Sequence, residues 1–425
     1  MDKQPLKIFK SVVIIADDLT GANDTAVQFS KLGYRVATVL HMEDLDEFLE
    51  RYDVIAISTD SRADTPSDAY RKLYSAGLKI RQYSDILIYK KIDSTLRGNI
   101  VEEIKGLYDS IGFDLVVFAP AYPKQGRTTI NAIQLVNGVP VDRTVYARDP
   151  RAPAKSSYIP SYFTDIFKDL YVHISLEAVR SRRFRENVRT CKAISFDAED
   201  EDDLKAVVDT LLDFDGKILW VGSAGLAEAL ASTIVVGSLE GKPAILVIGS
   251  LNEVSRRQLV YYMGKASCEL IKVDVSRLLL DFNSELSSIK SRVLDAIDKS
   301  MDIVITTAFD RSRTDEKENV NILELPLSEV GARIAEGIGK VVTEVVKELG
   351  TDAISGLYIT GGDTTASVMH SMNVTHLEVV GEIEPGVPLL RYGKLFIVAK
   401  AGGFGMEQTL IRIIARLKKV SKGDN

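Results

Sequence analysis

The chain has 425 residues, 45% of them hydrophobic and 27% charged, which excludes a disordered or fibrous protein and fits a globular chain of two domains. Its formal charge of -7 argues against a general nucleic-acid binder, so any anionic substrate has to be met by locally placed cations. Two cysteines far apart (Cys191 and Cys268) and four histidines without ligand spacing (His41, His173, His370, His376) exclude a disulfide framework and a zinc centre.

The chain opens with no charged-then-apolar leader, and no apolar run is long enough to cross a bilayer, so the expected place is the cytoplasm, away from membranes. Residues 11–16 form a short apolar run without alternation, the pattern of a parallel strand buried on both faces. It stops at two adjacent carboxylates, Asp17 and Asp18, followed by Thr20, Gly21 and Asn23, which supply turn and cap chemistry for a helix expected from about Asp24 to Gly33. Ligands of open α/β sheets bind beyond the carboxyl ends of the strands, and unpaired carboxylates are too costly for a core. Capping alone is the plain alternative, but a cap needs one such residue and this turn carries four polar groups.

Further strands are predicted at 35–40, 54–59 and 86–89. The second ends in Thr59-Asp60-Ser61-Arg62, and the third runs into Lys90-Lys91-Ile92-Asp93-Ser94-Thr95-Leu96-Arg97-Gly98-Asn99. Arg62, Lys91 and Arg97 are candidate partners for a carboxylate or phosphate, an arginine by its fork and the lysine as a point charge. Each alone could be a solvated surface group; the recurrence of hydroxyl, carboxylate and cation at three strand ends favours a site. A strand at 115–119 leads into a proline-stiffened loop with Lys124 and Arg127. Residues 130–136, Asn137-Gly138 and 139–141 read as a β-hairpin with a type I′ turn, and 144–189 as irregular. A strand at 191–196, a helix at 203–212 and a strand at 218–221 follow, the last entering Gly222-Ser223-Ala224-Gly225-Leu226.

A boundary is expected within 237–242, giving domains 1–238 and 239–425. The second domain is predicted to hold strands at 244–248, 303–307, 357–360 and 394–399, and helices at 281–300 and 330–349, the latter begun by Ser328. Ser250 or Asn252 can cap the helix whose first turn includes Ser255. Gly361-Gly362-Asp363-Thr364-Thr365 stands between a strand and a helix running to about Met372, where glycine N–H groups and the positive helix end suit an anion. It is neither a Walker loop nor the dinucleotide fingerprint. With Lys400-Ala401-Gly402-Gly403-Phe404-Gly405 after the next strand, it forms a pair of glycine-rich turns that suggests a nucleotide.

Ile14-Ile15-Ala16-Asp17-Asp18-Leu19-Thr20-Gly21-Ala22-Asn23-Asp24, with Lys91-Ile92-Asp93-Ser94-Thr95-Leu96-Arg97-Gly98, resembles the four-carbon acid sugar kinase family. Gly222 to Leu226, Gly249-Ser250, Gly361 to Thr364 and the turn from Lys400 to Gly405 are similar to its later motifs, in order, so the likeness spans the chain. The last turn departs from the family's pattern, with Ala401 and Gly403 where Ser and Asn are expected. The resemblance implies two α/β domains, each on a mostly parallel sheet flanked by helices, with the active site in the cleft between them. It implies ATP- and Mg²⁺-dependent phosphorylation of the terminal (4-) hydroxyl of a four-carbon sugar acid: D-threonate first, D-erythronate or 3-oxo-tetronate next. By the same resemblance Asp17, Asp18, Arg62, Lys91, Ile92, Asp93, Ser94 and Arg97 would bind the acid. Ser255, Gly361, Gly362, Asp363, Thr364 and either Gly402 or Gly403 would bind ATP.

A primary alcohol needs a proton acceptor as it attacks, and Asp18 or Asp93 can serve, with Asp17 a third candidate behind them. Mg²⁺ is expected on the ATP phosphates and water, with Asp363 within reach through water and no protein ligand set. The expected partners are the sugar acid and ATP, with a homodimer as the base-rate oligomer. Two other classes are a sugar-acid binding protein without chemistry, which would not need the glycine-rich pair, and a nicotinamide oxidoreductase, whose fingerprint is missing after the first strand.

Overall fold

The computed structural model describes residues 7–40, 42, 45–249, 252–307 and 327–422. His41, Ser250 and the side chain of Ser328 lie outside what is described. The chain divides into two compact units, Met1–Val236 and Gly237–Asn425.

Among the described residues the first unit is built on eight parallel strands, in the order Tyr171–Ile174, Ala193–Phe196, Leu115–Ala119, Ile218–Gly222, Ile86–Lys91, Ser11–Ala16, Val54–Ser58 and Val36–Val39. The central strands are apolar on both faces because helices cover both. One core layer joins Ile14, Tyr89 and Trp220 to Phe29 and Leu230; the other joins Ile15, Ile88 and Val221 to Leu73 and Ile104. The chain leaves Ser11–Ala16 toward one edge of the sheet and leaves Ile86–Lys91 toward the other. A topological switch point therefore lies between these neighbours, and it opens a crevice at their carboxyl ends.

The second unit repeats the plan. Among the described residues its sheet runs Cys268–Lys272, Asp302–Thr306, Ala244–Ile248, Gly356–Thr360, Leu395–Lys400, Val387–Tyr392 and Glu378–Glu384, with Val387–Tyr392 antiparallel to both of its neighbours. Here the switch point lies between Ala244–Ile248 and Gly356–Thr360.

Several expectations need correction. The first helix spans Leu19–Ser30, not 24–33, because Asp18 is its N-cap and accepts from the Gly21 N–H at 2.8 Å. Ile86–Lys91 continues two residues past Tyr89, since a buried acid awaits Lys90. Residues 130–136 are not one strand: Asn131 and Ala132 turn the chain with positive φ, and Arg127–Ile130, Ile133–Val136 and Val139–Pro140 form a three-stranded antiparallel sheet. The Asn137-Gly138 turn is present as expected, both residues at positive φ. The stretch 144–189 is not wholly irregular; it holds the edge strand Tyr171–Ile174 and the helix Leu176–Arg180.

Candidate functional site

At the first switch point three strand ends meet. Successive strand residues point to opposite faces, and this separates the two lysines of Ile86–Lys91. Lys90 turns to one face, where it is fully buried and pairs with Glu103 at 2.8 Å, and Ser61 Oγ donates to the same carboxylate. Thr59 Oγ1 lies 2.7 Å from Ser61 Oγ, and Asn99 Nδ2 donates to the carbonyls of Ser61 and Asp64 at 3.0 and 2.9 Å. This polar layer fixes the loop that carries Arg62.

Arg62 is the hub of the site. Its Nε and Nη2 donate to Asp17 at 2.6 and 3.0 Å, and its Nη1 lies 2.7 Å from Asp18 Oδ2. Burial works against the guanidinium, but the Asp17 bond and the surrounding carboxylates outweigh it and hold it firmly charged. Asp17 is buried with both oxygens on Arg62, while Asp18 stays partly open. Arg97 is likewise engaged: Nε donates to Asp93, Nη1 donates to Asp149 at 3.1 Å, and its guanidinium sits 5.3 Å over the Tyr146 ring. Burial tends to raise the Asp93 carboxyl, yet the Arg97 bond and charge and the Thr95 hydroxyl prevail and hold it below the ordinary range.

Lys91 differs from both arginines. It is 5% exposed, and among the described residues no hydrogen bond or ion pair uses its Nζ. Gly21 makes room for it, because a Cβ there would stand 2.8 Å from the ammonium and 2.6 Å from Asp18 Oδ1. Burial pulls the Lys91 ammonium down, opposed by the charges of Asp17 and Asp93. A buried ammonium without a partner is costly, and a carboxylate ligand would supply what it lacks. Ser94 comes to the same loop, its carbonyl held by Gln134 Nε2 at 2.8 Å. Ile92 does not open to the site: its side chain is in the core and its N–H donates to Gly222 O at 2.9 Å.

At the second switch point the helix Gly362–Ser371 starts directly after its strand, with Gly361 at φ 108 and no side-chain cap. No hydrogen bond among the described residues uses the N–H of Gly362, Asp363 or Thr364, so the helix start has donors that could meet an anion. The Gly361 N–H donates to Lys400 O at 3.3 Å, which brings the two glycine turns side by side. Asp363 is exposed, whereas Thr364 is buried against Gly249. Ser255 is buried and donates to Gly402 O at 2.8 Å, so it shapes that turn from beneath. A cavity of about 660 Å³, lined by Gly249, Thr306, Gly331, Ala335, Asp363 and Thr364 among others, adjoins the helix start.

The sequence reading missed Glu103, Gln134 and Asp149. Glu103 had a signal: it occupies the apolar stripe of the helix Ile100–Ile111, beside Ile100, Ile104 and Leu107. Gln134 and Asp149 reach the site only through tertiary contacts, and no local pattern marks them.

Two family profiles match the chain: the sugar-binding N-terminal domain over residues 12–230 and the nucleotide-binding C-terminal domain over residues 245–410. The chain is 29% identical to a D-threonate kinase of Salmonella typhimurium, covering 97% of this chain and 100% of the relative. It is 31% identical to a D-erythronate kinase of Heliobacterium modesticaldum, covering 91% and 90%. A 3-oxo-tetronate kinase of Brucella melitensis is 25% identical over 93% of each. Among solved structures, a Bordetella bronchiseptica protein with bound citrate, a domain-swapped dimer, matches with a TM-score of 0.61 at 25% identity, covering 96% of this chain and 98% of its own. The chain belongs to the four-carbon acid sugar kinases and is a phosphotransferase acting on a sugar acid.

Proposed function

We propose that the enzyme transfers the γ-phosphoryl group of ATP to the terminal (4-) hydroxyl of D-threonate, with D-erythronate or 3-oxo-tetronate as the alternative acids. The observation that carries this reading is the buried, unpartnered Lys91 ammonium beside Asp18 at the first switch point. Lys91 takes the acid's carboxylate, because Arg62 and Arg97 already spend their donors on Asp17, Asp18, Asp93 and Asp149. Those arginines keep the carboxylates in place and leave the substrate a rigid, charged frame.

Asp18 is the better proton acceptor for the attacking hydroxyl. It is the more open of the two candidate carboxylates, while Asp93 is tied to Arg97 and Thr95 and held low. The hydroxyl oxygen bonds to phosphorus, its proton passes to Asp18, and ADP leaves with the electrons of the broken P–O bond. The free N–H groups of Gly362, Asp363 and Thr364, with those of Gly402 and Gly403, suit the ATP phosphates. Mg²⁺, held by those phosphates and water with Asp363 nearby, would neutralise their charge. The proposed setting is the cytoplasm, where ATP is made, and the proposed assembly is a homodimer.

The test is ATP consumption with Mg²⁺ against D- and L-threonate, D- and L-erythronate and their 3-oxo forms, with the phosphorylated carbon located by phosphorus NMR. Turnover of one acid with phosphate on its terminal carbon is expected. Phosphate on another carbon, or silence across the panel, would overturn the reading.

A further inference from the structure

The turn after Leu395–Lys400 is held from below by three side chains that take its carbonyl oxygens. Lys400, itself 3% exposed, directs its Nζ to the carbonyls of Ala401, Gly402 and Phe404 at 3.0, 3.4 and 2.8 Å. Gln258 Nε2 donates to the carbonyls of Phe404 and Met406 at 3.0 and 2.8 Å, and Ser255 Oγ to that of Gly402. No hydrogen bond among the described residues uses the N–H of Gly402 or Gly403, and Gly403 is exposed.

Carbonyl oxygens repel phosphate and N–H groups attract it, so a glycine turn binds an anion only when its peptides are turned the right way. Glycine leaves that orientation free, and something outside the turn must choose it. An ammonium beneath the turn does this twice over, fixing the oxygens inward and placing a positive charge behind the amides.

We propose that Lys400 is a positioning residue of the nucleotide site, an internal cation that gathers the carbonyls of the 401–404 turn and so leaves the amides of Gly402 and Gly403 to the phosphates of ATP. This rests on the proposed reading of that turn as a nucleotide site. Burial brings the Lys400 ammonium down to about 8, with Glu384 opposing the fall. Glu384 is itself paired with Arg412 at 3.3 Å and accepts from Thr409 Oγ1, and the buried Tyr358, whose phenol burial pushes well above its ordinary value, feels the same Glu384 charge. Ser255 and Gln258 carry no charge. Lys400 is thus expected to lose its charge as pH rises through about 8, with the turn organised below that pH and its ammonium lost above it.

The experiment measures KM for ATP and for the sugar acid in the wild type, Lys400→Met and Gln258→Leu between pH 7 and 9. In the wild type, KM for ATP is expected to rise as pH passes about 8. Lys400→Met is expected to raise it by about tenfold or more at pH 7 and to flatten that rise, with KM for the acid unchanged. Gln258→Leu, which keeps the charge but frees two carbonyls, is expected to raise KM for ATP by a few-fold and keep the pH step. It serves as the test if Lys400→Met does not fold. A Lys400→Met enzyme with the wild-type KM for ATP and pH profile overturns the inference, as does a Gln258→Leu enzyme that loses the pH step. Failure of the wild type to bind MgATP in calorimetry would remove the nucleotide reading itself, and this inference with it.

Discussion

Lys91 and Arg62 stand a few residues from carboxylates of the same loops, yet they do different work. Arg62 is spent inside the protein, whereas no hydrogen bond or ion pair among the described residues uses the Lys91 ammonium, and the proposed function gives it to the acid. Lys91→Met is therefore expected to raise KM for the sugar acid by about 10- to 100-fold, the worth of one charge-assisted bond, while KM for ATP stays put. Steady-state kinetics with each substrate varied in turn checks the split. Asp93 gives a pH prediction. Its carboxyl is held lower in the folded chain than its ordinary value of 3.8, so it stabilises the fold above that value. The contribution drains away as pH falls from there toward the folded value. Asp93→Asn removes the carboxylate that Arg97 and Thr95 share, so the variant is expected to be less stable at neutral pH. Its stability should fall less steeply than the wild type's below pH 4, as read from denaturant melts across the acid range.

Among the elements, the helix Ile100–Ile111 matters most to the first site, because it carries Glu103 under the Arg62 loop. Glu103→Ala would take from the fully buried Lys90 its ion-pair partner and leave it only the Lys91 carbonyl, 2.7 Å from Nζ. The expected loss is about 3–5 kcal/mol in urea unfolding, accompanied by weaker acid binding as Ser61 loses the carboxylate it donates to. The strands were legible because a parallel sheet covered on both faces writes itself as short apolar runs, and 115–119 and 244–248 fall where that pattern puts them. Turn chemistry located Asn137-Gly138 but missed Asn131-Ala132, since alanine at positive φ follows no local rule and is imposed by Asp197, which accepts both backbone N–H groups. The same Asp197 lies 3.1 Å from His173 Nε2, and His173 Nδ1 lies 2.7 Å from Ser195 Oγ. That chain of three groups is a buried brace for the turn rather than a nucleophile, because Ser195 is wholly enclosed. Of the candidate site, the charged residues were legible at strand ends. Which cation stays unpaired was not, since pairing depends on Asp149 and Glu103 far along the chain.

Across the whole molecule, the two sheets place their switch points at loops from separate parts of the sequence, so the two ligands should leave separate footprints. Hydrogen exchange is expected to slow at residues 17–21, 59–64 and 91–97 on adding the sugar acid, and at 361–365 and 401–405 on adding MgATP. The strand Ile218–Gly222 carries one more consequence. It lies between Leu115–Ala119 and Ile86–Lys91, yet of the eight strands in its sheet it is the last to be synthesised. A growing chain can assemble four strands on one side and three on the other, each with an open edge, and only this segment stitches them together. The charged loops of the proposed acid site thus leave the ribosome early but gain their final support late, when Ile92 finds Gly222 O. Trp220, the single tryptophan of the chain, sits buried at that seam. Its fluorescence during refolding is expected to lag behind the far-ultraviolet dichroism and to rise together with the ability to bind the acid.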